Sequence, residues 1–309
     1  MATERELRQQ LAAAYRLAAL FGWEDTLYTH FSVRLPGDGE PRFLINPFGM
    51  MFDEVTASNL IVVDMQGKVV EGSAPANSAG FTIHSAVHMA REDAHCVIHT
   101  HTLPGMAVAA CADGLLQLNQ ISTEFYQRVG YHPYEGVAFD LDERVRIQRS
   151  LGENIAMILQ SHGLLSVGRT VADAFYIMYY LNRACEIQMA AAQLAPLSPI
   201  HTIPEPLSRH ACEQLMGVEH ERQLVWQAWL RRLDRLGNLR RVRAVSASES
   251  GSARGPRRPR GAIRLLLVSR PAAAGALASA EADPGRVRRR RPFARQPFRQ
   301  RRSALSGGG

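Results

Sequence analysis

Lysine is nearly absent from this chain: among 309 residues there is one, Lys68, in the turn-like stretch Met65-Gln66-Gly67-Lys68. Schiff-base chemistry needs a lysine amine in a sheltered site, so a surface-turn lysine excludes that class of mechanism. Cysteine is also scarce. The four present, Cys96, Cys111, Cys185 and Cys212, follow no paired pattern, which excludes a disulfide scaffold and favours a reducing, cytoplasmic setting. No run approaches the roughly 20 apolar residues of a membrane span. Residues 1–21 carry Glu4, Arg5, Glu6 and Arg8 and lack an apolar leader core, so neither a membrane anchor nor a secretory signal is expected. Apolar residues make up 46% of the chain, enough for a sizeable core.

Charge is divided unevenly. The formal net charge is +7, yet from Arg240 onward 18 arginines face only Glu249, Glu281 and Asp283, which leaves residues 1–239 with 18 basic and 26 acidic groups. The basicity belongs to the tail. Residues 237–309 are dominated by Arg, Ala, Gly, Ser and Pro, with the run Arg286-Val287-Arg288-Arg289-Arg290-Arg291. Clustered arginines can bind nucleic acid through phosphate contacts, but the composition fits a disordered tail better, and that is the expectation. The abrupt change at Gly237 further suggests an out-of-frame extension. The organisation expected is a folded domain over 1–236 and an Arg-rich tail over 237–309.

Within the domain, Leu7, Leu11, Tyr15, Ala18 and Leu20 recur at helical spacing up to Gly22. Phe31–Leu35 and Arg42–Ile45 alternate as a hairpin, and Ile61–Asp64 with Lys68–Glu71 flank a second turn. A helix is predicted over Phe81–Arg91, with His84 and His88 one turn apart, so that one of them lines the cavity beside the next strand. The elements predicted after that strand are a helix over 104–111, a strand over 115–118, and a stretch containing Tyr126, Tyr131 and Tyr134. They continue with a helix over 142–151, strands over 155–160 and 164–167, a helix over 171–194 and a last helix over 206–236. Turns too short for crossovers join the early strands, which argues for an α/β/α layered domain with a mixed, mainly antiparallel sheet.

The chemistry concentrates at Cys96-Val97-Ile98-His99-Thr100-His101, an apolar strand ending in His-x-His before Pro104-Gly105. Alternate strand residues share a face, so His99 and His101 present two imidazoles on one side. His162 follows another apolar run, Ala156–Leu159, and precedes Gly163. Three neutral imidazoles leave an ion one or two open positions, the layout of a catalytic site. The alternative is a satisfied polar pair at a strand end.

Several separated motifs fall in an order that resembles the class II aldolase/adducin family. They are Phe43-Leu44-Ile45-Asn46-Pro47-Phe48-Gly49-Met50, Glu54-Val55-Thr56-Ala57-Ser58-Asn59-Leu60, Asn77-Ser78-Ala79-Gly80-Phe81-Thr82-Ile83-His84-Ser85-Ala86, His99-Thr100-His101 and Ser161-His162-Gly163-Leu164. The resemblance is to the adducin-like branch and spans about Leu7 to Leu236. It implies an α/β/α fold, a homotetramer with a metal site near the subunit boundary, and a divalent metal on His99, His101 and His162: Zn2+ first, Fe2+ or Mn2+ as alternatives. It also implies losses. The family's acid/base glutamate, 19 residues before His99, is Gly80 here, and its interface tyrosine corresponds to Gln120. At the positions of the family's phosphate-pocket asparagine, threonine and second serine stand His30, Phe48 and Ala79, which removes hydrogen bonds that a phosphate would need.

The expectation is therefore a metal-dependent lyase of aldolase type acting on a small, non-phosphorylated hydroxy-carbonyl or keto-acid substrate. Its proton carrier is sought among His84, Glu124, Tyr126 and Tyr131. Two alternatives stand beside it: a non-catalytic adducin-like oligomerisation module and a non-haem iron oxygenase.

Overall fold

The computed structural model describes residues 2–37, 39–238 and 242; the expected tail after Gly237 lies almost wholly outside them. Eight strands form one sheet in the order β4-β3-β2-β1-β5-β8-β7-β6. The strands are β1 (His30–Arg34), β2 (Arg42–Ile45), β3 (Ile61–Asp64), β4 (Val69–Glu71), β5 (Cys96–Thr100), β6 (Val129–His132), β7 (Ala156–Leu159) and β8 (Gly163–Gly168). Every neighbouring pair is antiparallel except β6 with β7. The mixed, mainly antiparallel sheet thus stands as the turn lengths predict.

Helices cover both faces. On one side lie α1 (Glu4–Phe21), α3 (Leu103–Ala109), α6 (Val171–Leu194) and α8 (Glu221–Arg235). Their Leu11, Tyr15, Val108, Phe175, Met178 and Trp226 share one core with Phe31, Val33, Ile98 and Ile158 of the sheet. On the other side, Ile83 and Val87 of α2 (Ser78–Ala90) and Ile147 and Leu151 of α5 (Glu143–Leu151) bury against Val97, Met157 and Leu165. The helix ends follow sequence chemistry. Thr3 and Glu6 close a capping box on α1, and Gly22 ends it at φ 70°, a left-handed turn that glycine adopts without steric cost.

Two predicted elements need correction. Residues 115–118 are not a strand, because their backbone donors go elsewhere: Leu115 N–H donates to Tyr131 Oη and Leu116 N–H to Gln188 Oε1. A short helix, α4 (Gln120–Thr123), precedes the tyrosine stretch, which holds β6. The last helix is two, α7 (Glu205–Gly217) and α8. The break between them lets Arg222 reach the buried carboxylate of Glu124 at 3.1 Å. No helix among the described residues is long and apolar enough to cross a membrane.

Candidate metal centre

β5 and the β7–β8 turn build the site. His99 lies within β5 and His101 just beyond its end, while Ser161 at φ 55° and Gly163 turn the chain so that His162 faces them. Gly163 is required by contact: a Cβ there would sit 2.5 Å from Thr100 O and 3.1 Å from His101 Cδ2. The three ligand nitrogens lie within 4.8 Å of one another, and the ring centroids are 4.7 to 4.9 Å apart.

The hydrogen bonds fix the ring states of two of the three. His99 Nδ1 lies 2.9 Å from Leu164 O, which can only accept, so Nδ1 donates. His101 Nδ1 likewise donates to Asp25 Oδ2 at 2.8 Å. In the neutral form that a metal ligand must take, both Nε2 atoms then carry lone pairs, and they face each other at 2.8 Å. Two lone pairs at that distance repel unless a cation lies between them, and nitrogens around a tetrahedral Zn2+ stand about 3.3 Å apart. The donor set therefore fits a divalent metal, with Leu164 O and Asp25 orienting its ligands from behind. Burial and then the neighbouring imidazoles push His99 well below the ordinary histidine range, and burial and His101 lower His162 to about 4. Both are thus neutral at pH 7, as ligands must be.

Beside the histidines opens a cavity of about 740 Å³. Tyr28, Phe48, Val137 and Phe139 give it apolar walls, His30, Asn77 and Ser78 supply polar groups, and Asp25 is the one carboxylate among its described lining residues. No lysine or arginine is among its described lining residues.

The remaining sequence candidates are elsewhere. His84 is fully buried and does not line the cavity, nor does His88, contrary to expectation; His30 of β1 does. Glu124 is buried against Arg222, half-buried Tyr126 donates to Glu205 at 2.7 Å, and Tyr131 accepts from Leu115. None of the three lines the cavity within this chain.

Beneath the site runs a polar chain that sequence reading missed. His88 Nδ1 lies 3.0 Å from Ala94 O, His88 Nε2 lies 2.7 Å from Ser32 Oγ, Ser32 Oγ meets His84 Nδ1, and His84 Nε2 lies 2.8 Å from His30 Nδ1. Burial, reinforced by nearby Arg34, lowers His88 to about 3, with His95 a smaller influence; burial also lowers His84 well below its usual range. Below pH 6.5 the unfolded chain therefore takes up protons that the folded chain refuses, and stability falls as pH drops from 6.5 towards 3. His88 alone is expected to cost about 2 kcal/mol at pH 5 relative to pH 7.5. Urea unfolding midpoints at the two pH values measure it, and a His88→Gln variant should lose part of the pH dependence.

Comparison with known proteins places this geometry. The family described as Class II Aldolase and Adducin N-terminal domain matches residues 9–189. A Pseudomonas aeruginosa protein provisionally named a class 2 aldolase is 46% identical over 238 residues, covering 75% of this chain and 90% of that one. Rat alpha-adducin is 45% identical over 190 residues, 60% of this chain but 26% of its own length. Among solved structures, an aldolase II superfamily protein from Pseudomonas syringae superposes with a TM-score of 0.74 at 44% identity, covering 79% of this chain and 97% of that one. The L-fuculose 1-phosphate aldolase of Glaciozyma antarctica PI12 gives 0.66 at 29% identity, covering 76% and 94%.

Proposed function

The chain belongs to the class II aldolase/adducin family, and on that footing we propose that it is a metal-dependent lyase of the aldolase type. Its substrate is a small, non-phosphorylated hydroxy-carbonyl compound or keto acid. The observation that carries this reading is the pair of opposed Nε2 lone pairs of His99 and His101, with His162 beside them, at the wall of an apolar cavity. A divalent ion held by those three imidazoles, Zn2+ before Fe2+ or Mn2+, would polarise a substrate carbonyl and stabilise charge developing on its oxygen. This chain's own residues do the rest. Asp25 and Leu164 O hold the ligand rings in one tautomer. Tyr28, Phe48 and Phe139 shed water from the reacting group, and a lining with no lysine or arginine among the described residues disfavours a phosphate.

Gly80, with no side chain to move a proton, favours a second reading, a non-catalytic assembly module that keeps the fold and its oligomer. Both readings take a homotetramer, tested as a mass of four subunits by light scattering. Metal analysis of the freshly purified full chain separates them, together with a screen for cleavage or decarboxylation of non-phosphorylated hydroxy-carbonyl compounds. About one ion per subunit and metal-dependent turnover support the lyase. A metal-free, inert protein supports the module, and dioxygen uptake with bound iron would support an oxygenase instead. Asp25→Asn is expected to lower metal affinity by about 10- to 100-fold while leaving the fold intact; unchanged affinity would remove Asp25 from the site.

A further inference from the structure

The buried histidine chain has a direction, and Ala94 sets it. A carbonyl oxygen has no proton to give, so His88 Nδ1 donates to Ala94 O and His88 Nε2 is left to accept from Ser32 Oγ. With its only proton spent there, Ser32 Oγ must accept from His84 Nδ1. His84 Nε2 then accepts from His30 Nδ1. Each tautomer is forced by the one before, and the series ends with His30 Nε2 carrying a lone pair and no hydrogen.

That last residue of the series meets the cavity. His30 lines it, and its ring stacks on His99 with centroids 5.1 Å apart and planes 30° off parallel. The opposite ring face lies against Gly80, where an added Cβ would come within 2.6 Å of Cδ2, 2.8 Å of Nε2 and 2.9 Å of Cγ. Gly80 therefore makes room for an imidazole that arrives from the neighbouring strand, and Nε2 has no hydrogen-bond partner among the described residues.

We propose that His30 is a specificity-determining residue: its Nε2 accepts a hydrogen bond from a neutral hydroxyl of the substrate, beside the three-histidine centre. This rests on the cavity being the substrate site, as proposed above. An acceptor that cannot donate, with no lysine or arginine among the described lining residues, repels a dianionic phosphate or a carboxylate at that position and welcomes an alcohol. The substrate class narrows to compounds carrying a free hydroxyl next to the group that meets His99, His101 and His162. Ser32, His84 and His88 act through His30 and are positioning residues.

Neutron diffraction from the deuterium-exchanged, metal-loaded protein tests the direction. Deuterons on Nδ1 of His30, His84 and His88, and none on His30 Nε2, are expected. Titration calorimetry with dihydroxyacetone, and with inorganic phosphate as competitor, tests the consequence. His30→Phe should weaken dihydroxyacetone binding about tenfold at unchanged metal content, His30→Gln should retain most of the affinity, and phosphate should not compete. Ser32→Ala, which keeps His30 but cuts the chain, should weaken binding by less and return a deuteron to His30 Nε2 in part of the molecules. A deuteron on His30 Nε2 in the parent, equal affinity in a folded, metal-loaded His30→Phe, or effective competition by phosphate would each overturn the inference. A parent protein that retains no metal would instead overturn the functional reading, and the deuteron positions would still decide this one.

Discussion

Replacement of His162 by alanine is expected to lower Zn2+ affinity by on the order of 10³-fold, about a third of the binding free energy of a structural-type zinc site spread over three ligands. The fold should survive it. His162 is only partly buried, makes no hydrogen bond on which a strand depends, and sits in a turn whose geometry is held by Ser161 and Gly163. Competition against a chromophoric chelator gives the affinity, and circular dichroism of the same sample shows whether the domain is intact. His99→Ala is a poorer probe, because its Nδ1 ties β5 to Leu164 of β8 and its loss mixes metal release with strand damage. A folded His162→Ala protein that binds Zn2+ as tightly as the parent would leave the three-imidazole site without support.

The second large effect concerns stability. Phe175, fully buried on α6, is ringed by Trp23, Trp226 and Trp229 at centroid distances of 5.3, 5.8 and 5.3 Å, with Phe21 at 6.2 Å. One ring thus joins α1, α6 and α8. Phe175→Ala opens a cavity among stiff aromatic neighbours that cannot collapse into it, and is expected to cost about 3–5 kcal/mol. Urea unfolding followed by tryptophan fluorescence reads it directly, since three of the ring's neighbours are the reporters. Phe139→Ala, at 66% exposure on the cavity rim, serves as a contrast with an expected change within about 0.5 kcal/mol. Equal effects of the two substitutions would mean that the aromatic cluster is not the joint it looks like.

Much of this architecture is legible in the chain. The strand Ile61–Asp64 announces itself as a short apolar, β-branched run closed by a turn, and the helix Val171–Leu194 as a long apolar-rich stretch with no glycine or proline to break it. His99, His101 and His162 stand out because each sits at the end of an apolar run before a chain-breaking residue. Other parts leave no such mark. β6 is Val129-Gly130-Tyr131-His132, four residues with a central glycine, and it becomes a strand only because β7 runs parallel beside it. Asp25, in a polar loop, holds His101 across 76 residues of sequence, and nothing around it signals a partner. The polar chain draws on β1 and α2, so the spacing of His84 and His88 shows a shared helix face but not that His30 and Ser32 come to meet it. Even the loss at Gly80 reads differently in three dimensions, where its missing side chain is space already filled by His30.

In the pairing of β1 with β5, His30 lies directly opposite His99, and Ser32 opposite Val97. Side chains alternate faces along a strand, so adding or deleting one residue inside β1 would swing both polar groups into the layer built by Phe31 and Val33, and those two rings and methyls into the cavity wall. The connection between β1 and β2 can absorb a change of length without that reversal. Length variation among descendants of this chain should therefore collect in that connection and spare the five residues of β1, whatever else about the binding site they come to alter.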